Sequence, residues 1–193
     1  MFPSFIGPLI MLAALGLIGL GLLLVVIGRM QRQAFLPRVG IRLAGFAVAG
    51  YAGAWLVGWA AAPTRVLAVG EEVSFCGLDC HLHVSVLRAD RSRDLGVAVR
   101  FRSDAKRALE YPGLLRIAVV DQEGRTYLPA SGMIAEPIHP GEIVERDFRF
   151  SLPPGAAAPR LVVTYDGWLD YLVPGAGNPL VQRRARLDLG LGS

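Results

Sequence analysis

A two-helix transmembrane hairpin followed by an all-β sandwich is the fold that three features of this sequence predict. The chain opens on two long uncharged runs, the rest alternates apolar and polar residues, and the net charge of +4 is concentrated in one short stretch. A length of 193 residues suits one ordinary domain and a modest addition. Hydrophobic residues make up 53% and charged residues 19%, with a mean hydropathy of +0.44, so part of the chain is expected in a bilayer.

Phe5 to Ile27 carries no ionisable side chain over 23 residues, and Leu43 to Ala62 none over 20. At 1.5 Å per residue either run crosses a hydrocarbon core of roughly 30 Å. Helices are expected at about 5–28 and 42–62, making residues 1–62 a membrane anchor. Pro3 and Pro8 fall at the start of the first, where a missing N–H costs little. No basic residue precedes that run, and it exceeds the apolar stretch of a cleaved signal peptide, so a retained helix is the reading.

Between the runs lie Arg29, Arg32, Arg38 and Arg42 with no acidic residue, which predicts a cytoplasmic loop over 29–41. The N-terminus and residues 63–193 are then extracytoplasmic on a two-pass protein of the cell membrane. Past Pro63 the 16 remaining basic residues meet 16 acidic ones. The outer domain is neutral, and nucleic acid is excluded as a partner on charge.

Small residues on the second helix form two ridges of period four, Gly45–Ala49–Gly53 and Gly50–Ala54–Gly58. Such ridges admit a close helix neighbour. It is either the first helix, through Gly16, Gly19 and Gly21, or a second copy or membrane subunit. Tyr51, Trp55 and Trp59, also four apart, are expected to anchor in lipid at the outer interface.

After Pro63, short runs alternate with a period of two, as in Leu82-His-Val-Ser-Val86 and Val97-Ala-Val-Arg-Phe101. Half-buried strands do this. Strands are expected near 65–69, 72–76, 80–88, 95–103, 114–121, 125–129, 142–152, 160–166, 168–173 and 183–189. That spacing suits a sandwich or barrel. Asp121-Gln-Glu-Gly124 and Asp166-Gly167 read as hairpin turns, Pro153 to Pro159 as a loop, and no long helix is signalled. About 130 residues can bury a core of their own.

In order, VGEEVSF, HLHVSVLRAD, GVAVRFRSDAKRALEYPG, IAVVDQEGRTYLP, IHPGEIVERDFRFSLPPGA and RLVVTYDG resemble the immunoglobulin-like, telokin-like domain of unknown function found in bacterial lipoproteins and membrane-anchored extracytoplasmic proteins. The resemblance covers most of residues 66–190, and Cys76 to His83 departs from it. It implies an immunoglobulin-like sandwich outside the cell membrane and supplies no catalytic residues.

Phe75-Cys-Gly-Leu-Asp-Cys-His-Leu-His83 concentrates both cysteines and two of three histidines. One reading is a Cys76–Cys80 disulfide across a tight hairpin, favoured in an oxidising compartment. The loop is so short that the bond would contribute only about 2 kcal/mol. Free or buried thiols are a further reading. The sharpest is a copper or redox site using Cys76, Cys80, His81 and His83. Against it, an extended strand turns Cys80, Leu82 and Val84 to one face and His81 and His83 to the other. Two helices before a β-sandwich is also the layout of cytochrome oxidase subunit II. That copper site needs a later Cys pair followed by Met and preceded by His, and this chain has neither.

His139 is isolated, and no nucleophile elbow, zinc-protease helix, phosphate loop or dinucleotide fingerprint occurs. Asp166, Trp168, Asp170 and Tyr171 form an acidic-aromatic cluster that is either an interaction surface or one strand's alternating faces. Arg183, Arg184 and Arg186 read as a solvated strand face, with anionic headgroups as the alternative. The expected function is a non-catalytic binding or interaction module without cofactor, held in the lipid bilayer. Its partner would be an envelope protein, or a membrane subunit met through the small-residue helix faces. The alternative is the metal or thiol-disulfide protein.

Overall fold

The computed structural model describes residues 6–75, 81–132, 134–165, 170–175 and 178–191. Helix α1 runs Ile6–Met30 and α2 Phe35–Ala60. The joint is shorter than expected: Arg38 and Arg42 lie on the first turns of α2, where only a loop was read. An uncharged run marks the part of a helix that suits lipid, whereas the backbone continues helical into the charged flank. Pro37 is compatible with this, because the first-turn N–H groups need no partner. The chain leaves α1 through Arg32, in the left-handed region at φ 54°. There Gln33 N–H bonds the Gly28 carbonyl at 2.9 Å, closing the last turn.

The helices meet along a seam of small residues. Ala14, Gly21 and Gly28 of α1 are buried, seven apart and so nearly two turns apart, while Gly7, one step further, is covered by Val173 and Pro174. Gly40 and Ala47 of α2 are buried opposite the first three. At Gly21 a β-carbon would stand 2.6 Å from the Gly40 carbonyl oxygen, so the backbones touch. This corrects the predicted ridges: Gly16, Gly19, Gly45, Gly50 and Gly53 have nothing within contact distance, and of the expected set only Gly21 and Gly58 approach another backbone closely. Elsewhere the hairpin is open. Only 6% of each apolar span is buried, and Leu12, Leu23, Phe46 and Val57 are among the exposed side chains.

The rest forms two sheets: β1 Arg65–Leu67, β2 Val73–Phe75, β3 Leu82–Arg91, β4 Leu95–Ser103, β5 Leu115–Val120, β6 Thr126–Tyr127, β7 Ile143–Phe150, β8 Arg160–Tyr165 and β9 Ala185–Leu187. One sheet has the order β1-β9-β8-β5-β6, with β1 and β9 parallel, and the other β2-β3-β4-β7. Nine expected strands are present, most of them trimmed at the ends, while β4 has the expected bounds and β3 runs on to Arg91. The tenth, 168–173, is not a strand where described: Asp170–Leu172 is a 3-10 turn, and a short helix, α3 Pro179–Gln182, follows with Asn178 as its N-cap. Proline and an Asn cap favour that local turn over extended pairing.

Alternation builds the core. Leu82, Val84, Val86, Val97, Val99, Phe101, Phe148 and Phe150 face inward from one sheet, and Ile117, Val119, Leu161, Val163 and Leu187 from the other. The register of β3 against β4 slips between Val86 and Arg88, a bulge at Leu87. The first expected hairpin turn is present between β5 and β6. The Asp121 carboxylate there is fully buried and accepts from Arg125 N–H at 2.8 Å, Arg125 Nε at 2.6 Å and Tyr127 Oη at 2.9 Å. Asp166-Gly167 lies outside the described residues.

The two parts are joined by more than the chain. Tyr51 Oη donates to the Leu172 carbonyl, and Trp55 Nε1 donates to that of Tyr171 at 3.1 Å. Arg184 stacks its guanidinium 5.0 Å from the Trp59 ring centroid and bonds the Ala62 carbonyl at 2.6 Å. The three aromatics expected to face lipid instead hold the outer domain.

Candidate functional site

The densest polar group of the domain lies on the outer face of the β2-β3-β4-β7 sheet, beside the cysteine segment. Its side chains come from four places in the sequence. His83 of β3 stands opposite Ser74 of β2 and Arg102 of β4, while Leu82, between the two histidines, is buried in the core. Period-two geometry therefore turns His81 and His83 outward, as expected from the sequence. Asp104 follows β4 and is held by its N–H to the His81 carbonyl at 2.9 Å.

One carboxylate gathers both imidazoles. Asp104 Oδ1 lies 3.0 Å from His81 Nδ1, and Oδ2 lies 2.8 Å from His83 Nε2. The other ring nitrogen of His83 is 3.0 Å from Ser74 Oγ and 3.7 Å from Glu72 Oε2. Glu72 in turn receives Arg102 in a two-pronged bond, at 3.1 Å from Nε and 2.6 Å from Nη2. Further across the sheet Arg100 and its directly opposed neighbour Glu145 pair at 2.9 Å.

These contacts set the charge states. Hydrogen bonds from His83 and then His81 hold the Asp104 carboxyl below the usual aspartate range, against a smaller opposing effect of desolvation. The bond from Arg102 does the same for Glu72, and Glu72 raises Arg102 reciprocally. Arg102 thus lies between two carboxylates, 2.6 Å from Glu72 and 4.0 Å from Asp104.

Ser74, His83 and Asp104 follow the donor order of a hydrolase triad. Here, however, the serine meets Nδ1 rather than Nε2, Ser74 is exposed, and the Asp104 side chain is 45% exposed on an open strand face. Water is not excluded, so the geometry suits recognition better than nucleophilic attack. Among the described residues, no three His, Cys, Asp or Glu side chains are placed to hold a metal ion. Cys76 and Cys80 lie outside the described residues, and with them the expected disulfide and half of the alternative ligand set.

The other expected site residues are dispersed. Asp166 and Trp168 lie outside the described residues. Asp170 and Tyr171 sit in the 3-10 turn, and the Tyr171 carbonyl is occupied by Trp55 and by Asn178 Nδ2 at 2.9 Å. The Tyr171 backbone thus takes part in the junction with α2, and both residues are half-buried. Arg183 and Arg186 line a groove of about 510 Å³ with Arg116, above the buried Thr164. Arg184 departs from the solvated face and turns to Trp59. Arg29 ends α1, Arg32 lies in the joint, and Arg38 and Arg42 are exposed on α2. His139 closes a turn, its N–H on Glu142 Oε2 at 2.7 Å.

Glu72, Ser74, Arg102 and Asp104 were missed by sequence reasoning, because no local motif contains them. Pairing the alternating runs 80–88 and 95–103 as a hairpin would have brought Arg102 and Asp104 to the histidines.

No family model matches the chain, and no curated protein does. Two solved structures are similar to its β domain. One is a secreted protein of Mycobacterium tuberculosis, MPT63, at 10% identity and a TM-score of 0.45, covering 66% of this chain and 98% of that one. The other is an uncharacterised β-sandwich protein of Clostridium difficile 630, at 12% identity and 0.39, covering 65% and 93%.

Proposed function

We propose that this chain is a two-pass membrane protein that presents an immunoglobulin-like sandwich outside the cell membrane as a non-catalytic binding module. The observation that carries this reading is the hairpin surface: two helices of 25 and 26 residues expose leucine, valine and phenylalanine all round except at the glycine seam. A soluble fold would bury that area, and a bilayer covers it. The four arginines at the joint end of the hairpin, Arg29, Arg32, Arg38 and Arg42, orient it with the domain outside. Support for the immunoglobulin-like reading is the order β9-β8-β5-β6, which follows the G-F-C-C′ strands of that fold. The second sheet departs from the scheme, since β2, β3 and β4 all precede β5.

The partner would be another envelope protein. It would meet the rigid polar face around His83 and Asp104, or, as a membrane subunit, the open Gly45–Ala49–Gly53 ridge. A C-terminal alkaline phosphatase fusion tests the compartment: activity is expected, and a fusion active only as a cytoplasmic reporter overturns the reading.

A second reading rests on the two imidazoles sharing Asp104 beside the cysteine segment: a metal or thiol-disulfide protein using Cys76, Cys80, His81 and His83. Thiol alkylation with and without reductant, together with metal analysis, separates the two. Stoichiometric metal that is lost in Cys76→Ser supports the second reading. Thiols that react only after reduction, with no metal, support the disulfide.

A further inference from the structure

We propose that the turn segment of residues 170–175 and 178–181 is a third membrane element, a wedge seated among the acyl chains of the outer leaflet beside the hairpin. The inference rests on the spanning reading above and begins from depth. Pro174 and Gly175 approach Gly7 of α1 and Gly58 of α2 at backbone distance, and Leu172 reaches Tyr51. The paired helices begin at the inner end where Gly28 packs on Pro37, and along the axis of α2 Tyr51 and Gly58 stand roughly 20 and 30 Å from the neighbouring Arg38 at 1.5 Å per residue. Across roughly 30 Å of hydrocarbon Tyr51 is therefore in the outer half and Gly58 at its outer edge, with the long Arg42 side chain reaching back to the inner interface.

Irregular backbone at that depth needs its polar groups satisfied by protein. Three consecutive carbonyls are. Tyr171 O accepts from Trp55 Nε1 and Asn178 Nδ2, Leu172 O from Tyr51 Oη, and Val173 O from Asn178 Nδ2 at 3.0 Å. Asn178, only 2% exposed, also caps α3 through Leu180 N–H at 3.0 Å. Side chains of α2 and one buried amide thus replace the water that a surface turn would use. Meanwhile Leu172 is 46% exposed, an apolar side chain turned away from the protein. Where the segment meets the helices there is a cleft of about 190 Å³ whose walls, including Ile10, Val57 and Pro174, carry no polar side chain. Such a space takes hydrocarbon rather than water.

The test reconstitutes the whole chain in phosphatidylcholine–phosphatidylglycerol vesicles. Leu172→Cys, in a Cys76→Ser, Cys80→Ser background, carries a bimane label, beside Leu23→Cys in α1 and Leu128→Cys after β6 as references. The wedge predicts that the Leu172→Cys label loses most of its emission to lipids bearing a nitroxide below the headgroup and is shielded from aqueous iodide, as Leu23→Cys is. Iodide quenching equal to that of Leu128→Cys, with Leu23→Cys still quenched from lipid, overturns the wedge and leaves the hairpin standing. Iodide access at Leu23→Cys overturns the spanning reading itself. The unsubstituted chain gives a second measurement that does not depend on the cysteine background. A lipid with a diazirine in its acyl chain should label the peptide holding residues 170–181 as well as α1, and label on α1 alone overturns the wedge.

Discussion

The hairpin and the sandwich are packed on opposite plans. Along the helix seam the buried residues are Ala14, Gly21, Gly28, Gly40 and Ala47, among the smallest in the chain. At the sandwich centre they include Phe75, Phe101, Phe148 and Phe150, among the largest. In water, removing apolar area from solvent drives association, so a big ring contributes most. Between lipid-facing helices no such gain exists, and contact comes from letting backbones approach. The contrast is the one expected if, as proposed, the hairpin lies in a bilayer and the sandwich in water.

The largest expected effect is in the sandwich. Phe101 is fully buried and its ring lies 6.3 Å from that of Phe148. Phe101→Ala should cost about 3–5 kcal/mol by chemical unfolding of the β signal. A loss below about 1 kcal/mol would mean that this core is not the driving one. Next comes the seam. Gly21→Leu must push α1 from α2 and should cost about 1–3 kcal/mol in micelles. Gly45→Leu, which meets nothing, should stay within about 0.5 kcal/mol. Equal effects at the two glycines would break the claim that the seam, rather than glycine content, holds the hairpin.

The junction between the parts is weaker. Arg184→Gln removes a cation over Trp59 and should loosen the domain by about 0.5–1 kcal/mol, read as faster proteolysis near Ala62. The smallest effect concerns pH. The Asp104 carboxyl titrates below its ordinary 3.8 in the folded chain, so its contribution is present above that value and lost as pH falls through the folded one. The acid-side fall in melting temperature should therefore be shallower in Asp104→Asn. An unchanged slope would assign that fall to other groups, such as Asp121.

Most of the architecture was legible because its signals are local. An uncharged run of helix-spanning length needs no partner to be recognised, and alternation in 82–86 or 97–101 declares a strand whichever neighbour it finds. Turn residues Asp121 and Gly124 placed a hairpin correctly. The polar face was half legible: alternation put His81 and His83 outward, but Asp104, Glu72 and Arg102 join them only through cross-strand register. The strand expected over 168–173 failed where described because Tyr171 was judged by its alternation, whereas Asp170–Leu172 make a 3-10 turn whose Tyr171 and Leu172 carbonyls accept from Trp55 and Tyr51 of α2.

By itself, then, the sequence determined the two helices, the strands, the joint arginines and the neutrality of the outer domain. Tertiary structure alone decided which glycines touch, which carboxylate the histidines share, that β1 lies parallel to β9, and where residues 170–175 and 178–181 dock. The physical reason is range. Periodicity and charge act over one or two turns of chain, whereas a glycine bears no side chain to mark its face, and a pairing register is settled only when distant segments pack together.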